Sequence, residues 1–430
     1  MNAGSDSAER LMFGAYNVLL ALASPFIFAL LLAKKRCRPG LWQRLGRLPE
    51  GPAAEWGDGR TIWLHAVSMG EATAAVPLVQ QLKARYPDAR IVVSTVTETG
   101  RETVLRRLGG QAGHLYFPLD YPWAVRSVLD AVRPCLVIIV ETELWPNFLR
   151  EAAARGIPVI LANGRLATDS FAGYLRLRFF FRHVLAAFTL CSMQTDRDVE
   201  RIIQLGVAPE RVVRTGNLKY DQAPQAAPVR ISKHDLGVAE SEELFVAGST
   251  HPGEEEAVLD CYRRLLDGAP ALVLVLAPRH IERADAVCTA ARLRGFNVFR
   301  RTRLSTLSGP RVIVLDTRGE LASLYREATL VFVGGSLVDV GGHSPLEPAA
   351  WGKAVVFGPH MDHFAEAAEQ FIGRGAGVQV GNAAEMAETM TALLKDRAKL
   401  EERGKAAYQL VLENQGAVAR TVSLIARVLG

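Results

Sequence analysis

Three carboxylates and one lysine follow predicted strand ends in the first half of this chain. Glu71 comes after the apolar segment Ile62–Val67 and falls in the first turn of a predicted helix. Glu141 and Glu143 follow another apolar segment, and Lys219 follows the last one of this half. Two carboxylates on one side of a strand end require a cation or a shared proton between them, and a lysine is a compact point charge. Because ligands of α/β proteins bind at the carboxyl edge of the sheet, this set predicts a polar ligand site.

Each of these residues also has an ordinary structural interpretation. Glu71 suits the positive end of the helix dipole, which is the common reason for an acid in a first turn. The Glu141–Glu143 pair can serve as a helix cap before Pro146, and Lys219 can be a solvated lysine next to a linker. The spacing alone does not decide between these alternatives.

The second half carries loops that suit an anion. Glycines of Gly341–Glu347 lead into a predicted helix start, where Ser344, Pro345 and Glu347 have the order of a capping box. Glycines that lead into a helix also form a phosphate seat, and Arg279 can add a guanidinium fork for the same anion. A nucleotide site is therefore predicted in this half, although it is not the dinucleotide fingerprint.

Strands and helices alternate along most of the chain. This alternation predicts parallel sheets with helices on both faces. The predicted strands of the first half are Ile62–Val67, Ile91–Val96, His114–Pro118, Leu136–Glu141, Val159–Asn163, Thr189–Met193 and Val212–Gly216. Those of the second half are Leu244–Gly248, Leu272–Ala277, Val298–Arg300, Val312–Asp316, Leu330–Gly334 and Val355–Phe357.

A Pro- and Ala-rich break at Gln222–Val229 separates two Rossmann-like halves. The predicted organisation is an N-terminal anchor with its basic flank at residues 1–38, a first Rossmann-like domain at 39–222, and a second at 223–430 with terminal helices from Ala383 onward. Two such domains that face each other across a cleft place the ligand in that cleft.

The segment Leu11–Ala33 contains no charged residue and is followed at once by the basic cluster Lys34–Arg38. As a helix it is about 35 Å long at 1.5 Å per residue, enough to cross a bilayer core. The positive-inside rule then places the rest of the chain in the cytoplasm. Pro25 leaves a shallow interfacial helix as an alternative, and a cleaved signal peptide is disfavoured by the long apolar run.

The composition excludes several classes of protein. The chain has 430 residues and a net charge of +5, but it lacks the aromatic and basic clusters of an RNA reader and has no C-x-x-C finger, so nucleic acid is not a predicted partner. Its five cysteines are widely spaced and are predicted to be reduced thiols. Neither Asp196-Arg197-Asp198 nor His360–His363 has the dedicated ligand set of a metal site.

Short motifs along nearly the whole chain resemble the bacterial 3-deoxy-D-manno-octulosonic acid (Kdo) transferases, which glycosylate a lipid A precursor. Each motif alone is weak, but their order makes the combination specific. The motifs are His65–Glu71, Tyr121-Pro122, Glu141–Pro146, Asn163–Leu166, Gly216–Asp221, Gly248–His251, Pro278–His280, Val333–Ser336, Gly341–Glu347 and Gly358–His360.

The resemblance implies a GT-B fold of two Rossmann-like domains, in which residues 39–222 bind the acceptor and residues 223–430 bind the CMP-sugar. It also implies an inverting transferase that uses CMP-Kdo without a metal or cofactor. It implies that Glu71 is the catalytic base and that Glu141 and Lys219 stabilise the transition state. The residues that it assigns to the CMP-binding loops are Pro278, Arg279, Arg318, Gly319, Glu320, Ser344, Pro345, Leu346 and Glu347.

The implied partners are CMP-Kdo, the lipid A precursor (lipid IVA) and the cytoplasmic face of the cell inner membrane; the oligomeric state is left open. Two positions depart from the family pattern, which often has Asn at Ser344 and Ala at Gly164. The mixed apolar and basic segment Tyr174–Arg182 is predicted either to contact membrane phosphates or to pack on the core.

Two other classes of protein are compatible with parts of the chain. Ala66–Gly70 has the pattern of a relaxed nucleophile elbow around Ser68, but no Asp and His pair follows it clearly. A membrane-tethered sugar-nucleotide binder without catalysis is the second alternative. The presence of Glu71, Glu141 and Lys219 argues against it.

Overall fold

The computed structural model of the chain describes residues 3–33, 39–48, 60–222, 231–304 and 309–430. The basic cluster Lys34–Arg38 and the linker residues 223–229 lie outside these ranges. The described chain divides into two compact units. Unit 1 comprises Met1–Gln222 and Gln415–Gly430, and unit 2 comprises Ala223–Asn414.

Unit 1 is built on a parallel sheet with the order β3-β2-β1-β4-β5-β6-β7 in the described residues. Its strands are nearly continuous apolar runs because helices cover both faces of a parallel sheet. They are β1 Thr61–His65, β2 Arg90–Thr95, β3 Gly113–Tyr116, β4 Pro134–Val140, β5 Val159–Gly164, β6 Leu190–Met193 and β7 Val212–Arg214.

Side chains of each strand alternate between two separate cores, one on each face of this sheet. Trp63 and Ile139 lie in one core, whereas Ile62 and Ile138 lie in the other. The helices of the unit are α1 Ala3–Ala33, α2 Leu41–Arg44, α3 Met69–Arg85, α4 Glu98–Leu108, α5 Pro122–Val132, α6 Pro146–Ala154, α7 Thr168–Arg176, α8 Arg178–Leu185 and α9 Asp196–Leu205.

The apolar helix α1 packs along unit 1 by one face. Phe13 is buried in the core, the Tyr16 hydroxyl donates to Asp120 at 2.9 Å, and Ser24 lies 2.6 Å from the Tyr121 hydroxyl. The opposite face is exposed, with Leu22 at 74%. In the described residues, Glu9–Ala33 is the one helical segment long and apolar enough to cross a membrane, judged by length and composition only.

The last helix, α17 Ala417–Leu429, also belongs to unit 1. Its N-terminal amides at Gly416 and Val418 each donate to the Asp221 carboxylate at 2.6 Å. The sequence-based division placed all terminal helices in the second domain, and the structure corrects it for this one. An amphipathic helix carries no sequence signal for which of two similar sheets it covers.

Unit 2 has a second parallel sheet, in the order β10-β11-β9-β8-β12-β13-β14. Its strands are β8 Glu243–Thr250, β9 Leu272–Pro278, β10 Asn297–Arg300, β11 Arg311–Val314, β12 Ala328–Val333, β13 Val355–Phe357 and β14 Gly377–Gln379. Its helices are α10 Glu254–Leu266, α11 Ala284–Leu293, α12 Leu321–Leu324, α13 Leu346–Ala349, α14 Ala365–Gly373, α15 Ala383–Lys395 and α16 Arg397–Asn414.

Candidate active site

The candidate site of unit 1 lies where the strand order reverses. Strand β1 is flanked by β2 and β4, so the loops after β1 and β4 leave the sheet in its middle at the carboxyl edge. Glu71 follows β1, and Glu141 is the first residue after β4. A topological switch point of this kind is where open α/β sheets bind ligands.

A capping box holds the Glu71 side chain in place. Its Oε2 accepts from the Val67 amide at 2.7 Å, and its Oε1 accepts from the Ser68 hydroxyl at 2.9 Å. The Ser68 Oγ in turn accepts from the Glu71 amide at 3.3 Å. The Ser68 hydroxyl therefore serves as the N-cap of α3. This capping role explains the serine without the nucleophile-elbow alternative.

The environment of Glu71 raises the pKa of its carboxyl to about 7. Burial is the main cause, and the nearby negative charge of Glu141 acts in the same direction. The bonds from Ser68 and Val67 favour the ionised form and oppose part of this effect. A carboxylate with a pKa near neutral pH is suited to accept a proton during a reaction.

Glu141 and Lys219 form an ion pair beside Glu71. The Lys219 Nζ lies 3.6 Å from Glu141 Oε1, and both side chains are 22% exposed. Glu141 has φ = 59°, a left-handed conformation that is costly for a residue with a Cβ. The expectation that Glu141 continues the strand and faces the same side as Glu143 is therefore wrong, because the strand ends at Val140.

Buried amides position the segment that carries Lys219. Asn163, also left-handed with φ = 56°, accepts from the Leu218 amide at 2.9 Å. Asn217 accepts from the Lys219 amide at 2.9 Å and donates to Gln194 at the same distance. Gly164 stands where the family often has alanine. A Cβ at this position would lie 2.6 Å from the flexible Met193 sulfur, so an alanine would require that side chain to move.

The glycine-rich loop after β12 is filled by a side chain of its own unit. The fully buried Glu254 carboxylate accepts from the amides of Gly335, Ser336 and Leu337 at 2.6, 2.9 and 2.9 Å. It also accepts from the His251 amide at 2.9 Å. The chain thus satisfies these amides itself, and they are not a free seat for a phosphate.

Arg279 and two histidines lie at the same edge of unit 2. Arg279 follows β9, is exposed, and its amide donates to the Thr250 carbonyl at 3.0 Å. The Nε2 atoms of His251 and His343 lie 2.9 Å apart, which is a hydrogen-bond distance between two nearly parallel rings. Burial, with Arg279 as a further cause, lowers the pKa of His343 to about 3 and leaves it neutral.

The loop after β11 is joined to its neighbours by charge pairs. Arg318 donates to Glu282 at 3.1 Å, and both side chains are largely exposed. Glu320 is buried and accepts from Arg301 at 3.2 Å. Gly319 has φ = 86°, which requires glycine for the turn. Glu320 is thus engaged within the protein, whereas Arg279 and Arg318 are exposed.

The predicted capping box at Ser344 is wrong. Helix α13 begins at Leu346, its N-cap is Pro345, and no side chain caps it. The helix has four residues, too short for a useful dipole at its N-terminus. Pro345 and Leu346 are buried. Burial raises the pKa of the Tyr325 phenol, and the nearby charge of Glu347 acts in the same direction.

One group of possible metal ligands occurs in the described residues, formed by Asp339, His360 and Asp362 within 4.8 Å of one another. Both aspartates are exposed, and exposed acids gather in this way without a metal. Its geometry therefore adds nothing to the weak sequence signal at His360–His363.

The sequence analysis predicted neither the capping role of Ser68 nor the position of Glu254 in the loop after β12. Ser68 has a readable signal, since Ser followed by Glu three residues later defines a capping box. Glu254 stands among three consecutive glutamates at the start of α10, and no local pattern tells that Glu254 and Glu255 are buried or that Glu254 fills the loop after β12.

The two sheets define the class of protein. The solved structure of MurG from Acinetobacter baumannii matches 86% of this chain and 99% of its own with a TM-score of 0.56 at 16% identity. A UDP-GlcNAc 2-epimerase from Neisseria meningitidis matches 86% of this chain and all of its own, also at 0.56, with 13% identity. These similarities show the fold, which is the GT-B fold with its two Rossmann-like units.

The particular family follows from sequence matches. A family model described as 3-deoxy-D-manno-octulosonic-acid transferase matches residues 39–222, and one described as glycosyl transferases group 1 matches 300–410. A 3-deoxy-D-manno-octulosonic acid transferase from Haemophilus influenzae is 34% identical over 95% of this chain and 97% of its own. One from Bordetella pertussis is 32% identical over 97% and 99%. The chain belongs to the 3-deoxy-D-manno-octulosonic acid transferase family and is a glycosyltransferase.

Proposed function

We propose that the protein transfers Kdo from CMP-Kdo to a hydroxyl of the lipid A precursor lipid IVA, with inversion at the anomeric carbon and release of CMP. Family membership supports the reaction class. The observation that carries the assignment of residues is the Glu71 carboxylate, which is held by Val67 and Ser68 at the switch point and has a pKa of about 7.

Glu71 is proposed to remove the proton from the acceptor hydroxyl as the oxygen attacks the sugar. Near pH 7 a large fraction of the carboxyl is ionised and ready to accept that proton. Departure of CMP leaves positive charge on the Kdo ring. The Glu141 carboxylate can offset that charge, and the Lys219 ammonium lies 3.6 Å from it as its ion-pair partner.

The donor is proposed to bind at the carboxyl edge of unit 2. CMP-Kdo carries a phosphodiester and a carboxylate, so it requires cations. The exposed Arg279 guanidinium is the best placed group for the phosphate. Backbone amides are less suited to bind the phosphate, because α13 is short and Glu254 fills the loop after β12. Ser344–Glu347 are therefore proposed to shape the site rather than to hold the phosphate.

We also propose that α1 attaches the protein to the cytoplasmic face of the inner membrane. Its contacts with unit 1 extend at least from Phe13 to Phe28, which stacks on Tyr121 with ring centroids 6.3 Å apart. That docked length is about 22 Å at 1.5 Å per residue, so too little helix remains to cross a core of about 30 Å. The docked helix therefore fits an interfacial position with its apolar face in the lipid.

The decisive experiment is CMP release from CMP-Kdo generated in situ, with and without lipid IVA. Wild-type protein should release CMP only with the acceptor, and Glu71→Gln should lower the rate by about 100-fold or more. The matched control Glu102→Gln changes an exposed acid of unit 1 and should leave the rate unchanged. Full activity of Glu71→Gln would refute the proposed base, and no CMP release by wild type would refute the proposed reaction.

A further inference from the structure

A small polar cavity opens beside the candidate catalytic carboxylates of unit 1. It has a volume of about 190 Å³, and we call it the Glu143 pocket. It is lined by Glu141, Thr142, Glu143, Arg165, Leu166, Ala167, Ser170 and Tyr174. Glu71 is not part of its wall, so the pocket adjoins the proposed base and is separate from it.

The walls of the Glu143 pocket are held rigidly. The Thr142 hydroxyl accepts from the Arg165 amide at 3.1 Å and donates to the Arg165 carbonyl, which ties the loops after β4 and β5 together. The next amide, at Leu166, donates to the buried Asp198 carboxylate at 2.8 Å. A cavity fixed by such bonds has the preformed character of a binding site.

The chemistry of the lining suits a sugar that bears an anion. Arg165 supplies a guanidinium, and Ser170 and Tyr174 supply hydroxyls. Burial, with the charge of Glu141 as a second cause, raises the pKa of Glu143 to about 7, so this carboxyl can both donate and accept hydrogen bonds near neutral pH. The half-buried Tyr174 also adds an aromatic ring to the wall of the pocket.

The size and surroundings of the pocket limit its occupant. Its volume is below the roughly 300–1,000 Å³ of pockets for drug-sized ligands, so it fits one sugar ring and not a whole glycolipid. Beyond Tyr174, α7 and α8 expose the apolar residues Leu177 and Phe179 together with Arg176 and Arg178. An apolar and basic surface next to the pocket is what a ring attached to an anionic lipid would require.

We propose that the Glu143 pocket is the acceptor subsite, in which Glu143 and Tyr174 hold one sugar ring of the lipid-linked acceptor and Arg165 pairs with a phosphate on it. This proposal rests on the proposed function, because it takes the acceptor to be a phosphorylated glycolipid. Arg165 then determines specificity for the acceptor and has no part in donor binding.

The test compares acceptors with and without each phosphate, using full-length protein in detergent. For wild type, removal of the phosphate that Arg165 contacts should lower kcat/KM for the acceptor by about tenfold. In Arg165→Gln the loss of kcat/KM on removal of the same phosphate should be about twofold or less, and the KM for CMP-Kdo should be unchanged. Arg165→Lys should restore part of the discrimination between acceptors with and without this phosphate. The control Arg106→Gln, at an exposed position, should behave as wild type.

Two outcomes overturn the proposal. If Arg165→Gln keeps the wild-type discrimination against both dephosphorylated acceptors, the pocket is not the phosphate subsite, although the proposed function stands. If Glu143→Ala leaves the KM for the acceptor unchanged, the sugar ring is not bound there. Absence of CMP release by wild type with every acceptor is a different result, which removes the proposed function itself.

Discussion

At the scale of single residues, the carboxyl of Glu71 links activity to pH. Because its pKa is raised to about 7, kcat/KM should rise as the pH increases through about 7 and then level off. Glu141→Gln removes the charge that is the second cause of this raised pKa, so the acid limb of the profile should move to lower pH. An acid limb that stays in place in Glu141→Gln would contradict the coupling, whatever the effect on the rate.

The same group should cost the protein stability at high pH. A carboxyl whose folded pKa is raised from 4.5 to about 7 stabilises the fold most below pH 4.5, and this contribution is lost as the pH rises through 7. Glu71→Gln should therefore raise the free energy of unfolding at pH 8 by at most about 3 kcal/mol, which is measured as a higher Tm. At pH 4 the same variant should have little effect on Tm. Equal effects at both pH values would show that ionisation is not the cause.

Glu254 is the residue of unit 2 whose loss should be most costly in the site loops. Glu254→Ala leaves four amides without their acceptor, two of them buried and two partly buried, and we expect a loss of about 3–5 kcal/mol of unfolding free energy. The control Glu282→Ala removes the exposed ion-pair partner of Arg318 and should cost less than about 1 kcal/mol of unfolding free energy. Urea unfolding of both variants measures the difference, and similar midpoints would show that the loop does not depend on Glu254.

At the scale of elements, α1 should bind membranes through its outer face. Replacing Leu19, Leu22 and Phe26 with Ser removes exposed apolar side chains and should weaken flotation with anionic vesicles several-fold. Tyr16→Phe, on the docked face, loses its bond to Asp120 and should leave vesicle binding intact. If the docked-face variant is released from vesicles and the outer-face variant is not, the orientation of the helix is wrong.

The basic residues of α7 and α8 should contribute electrostatically to the same binding. Arg176, Arg178 and Arg182 are exposed, and their replacement with Gln should weaken vesicle sedimentation more at low salt than at high salt. The half-buried Phe180 and Phe181 pack on the core, which is one of the two predicted roles of this segment, and the membrane contact of its arginines stays a prediction. Unchanged sedimentation at low salt would remove the electrostatic contribution.

The elements themselves could largely be predicted from sequence, because buried parallel strands are continuous apolar runs. The predicted bounds of strand β13 match the structure at both ends, and those of most other strands agree within a few residues. Strand β14 was missed because Gly377–Gln379 is short and carries one β-branched residue. The turn at Glu141 and the uncapped start of α13 were misjudged, since both depend on tertiary contacts that override local preference.

At the scale of the whole molecule, the two ends of the chain complete the same unit. Helix α17 buries Ala417, Val418, Val422 and Ile425 in the core that also contains Leu218. Asp221, two residues after Lys219, caps this helix, so the segment that carries the proposed catalytic lysine is supported by the last helix of the chain. The order of residues along the sequence does not reveal this dependence.

Disrupting α17 should therefore loosen unit 1 and leave unit 2 unchanged. Val422→Asp places an unpaired charge in the core of unit 1 and should lower hydrogen-exchange protection in α3 and Leu218–Gln222, with β8 and β9 keeping theirs. Ser423→Asp changes an exposed position of the same helix and should have no such effect. The activity of Val422→Asp should fall with the protection of Leu218–Gln222, because Lys219 would no longer be held 3.6 Å from Glu141. Loss of protection first in β8 and β9 would assign the terminal helix to the other unit.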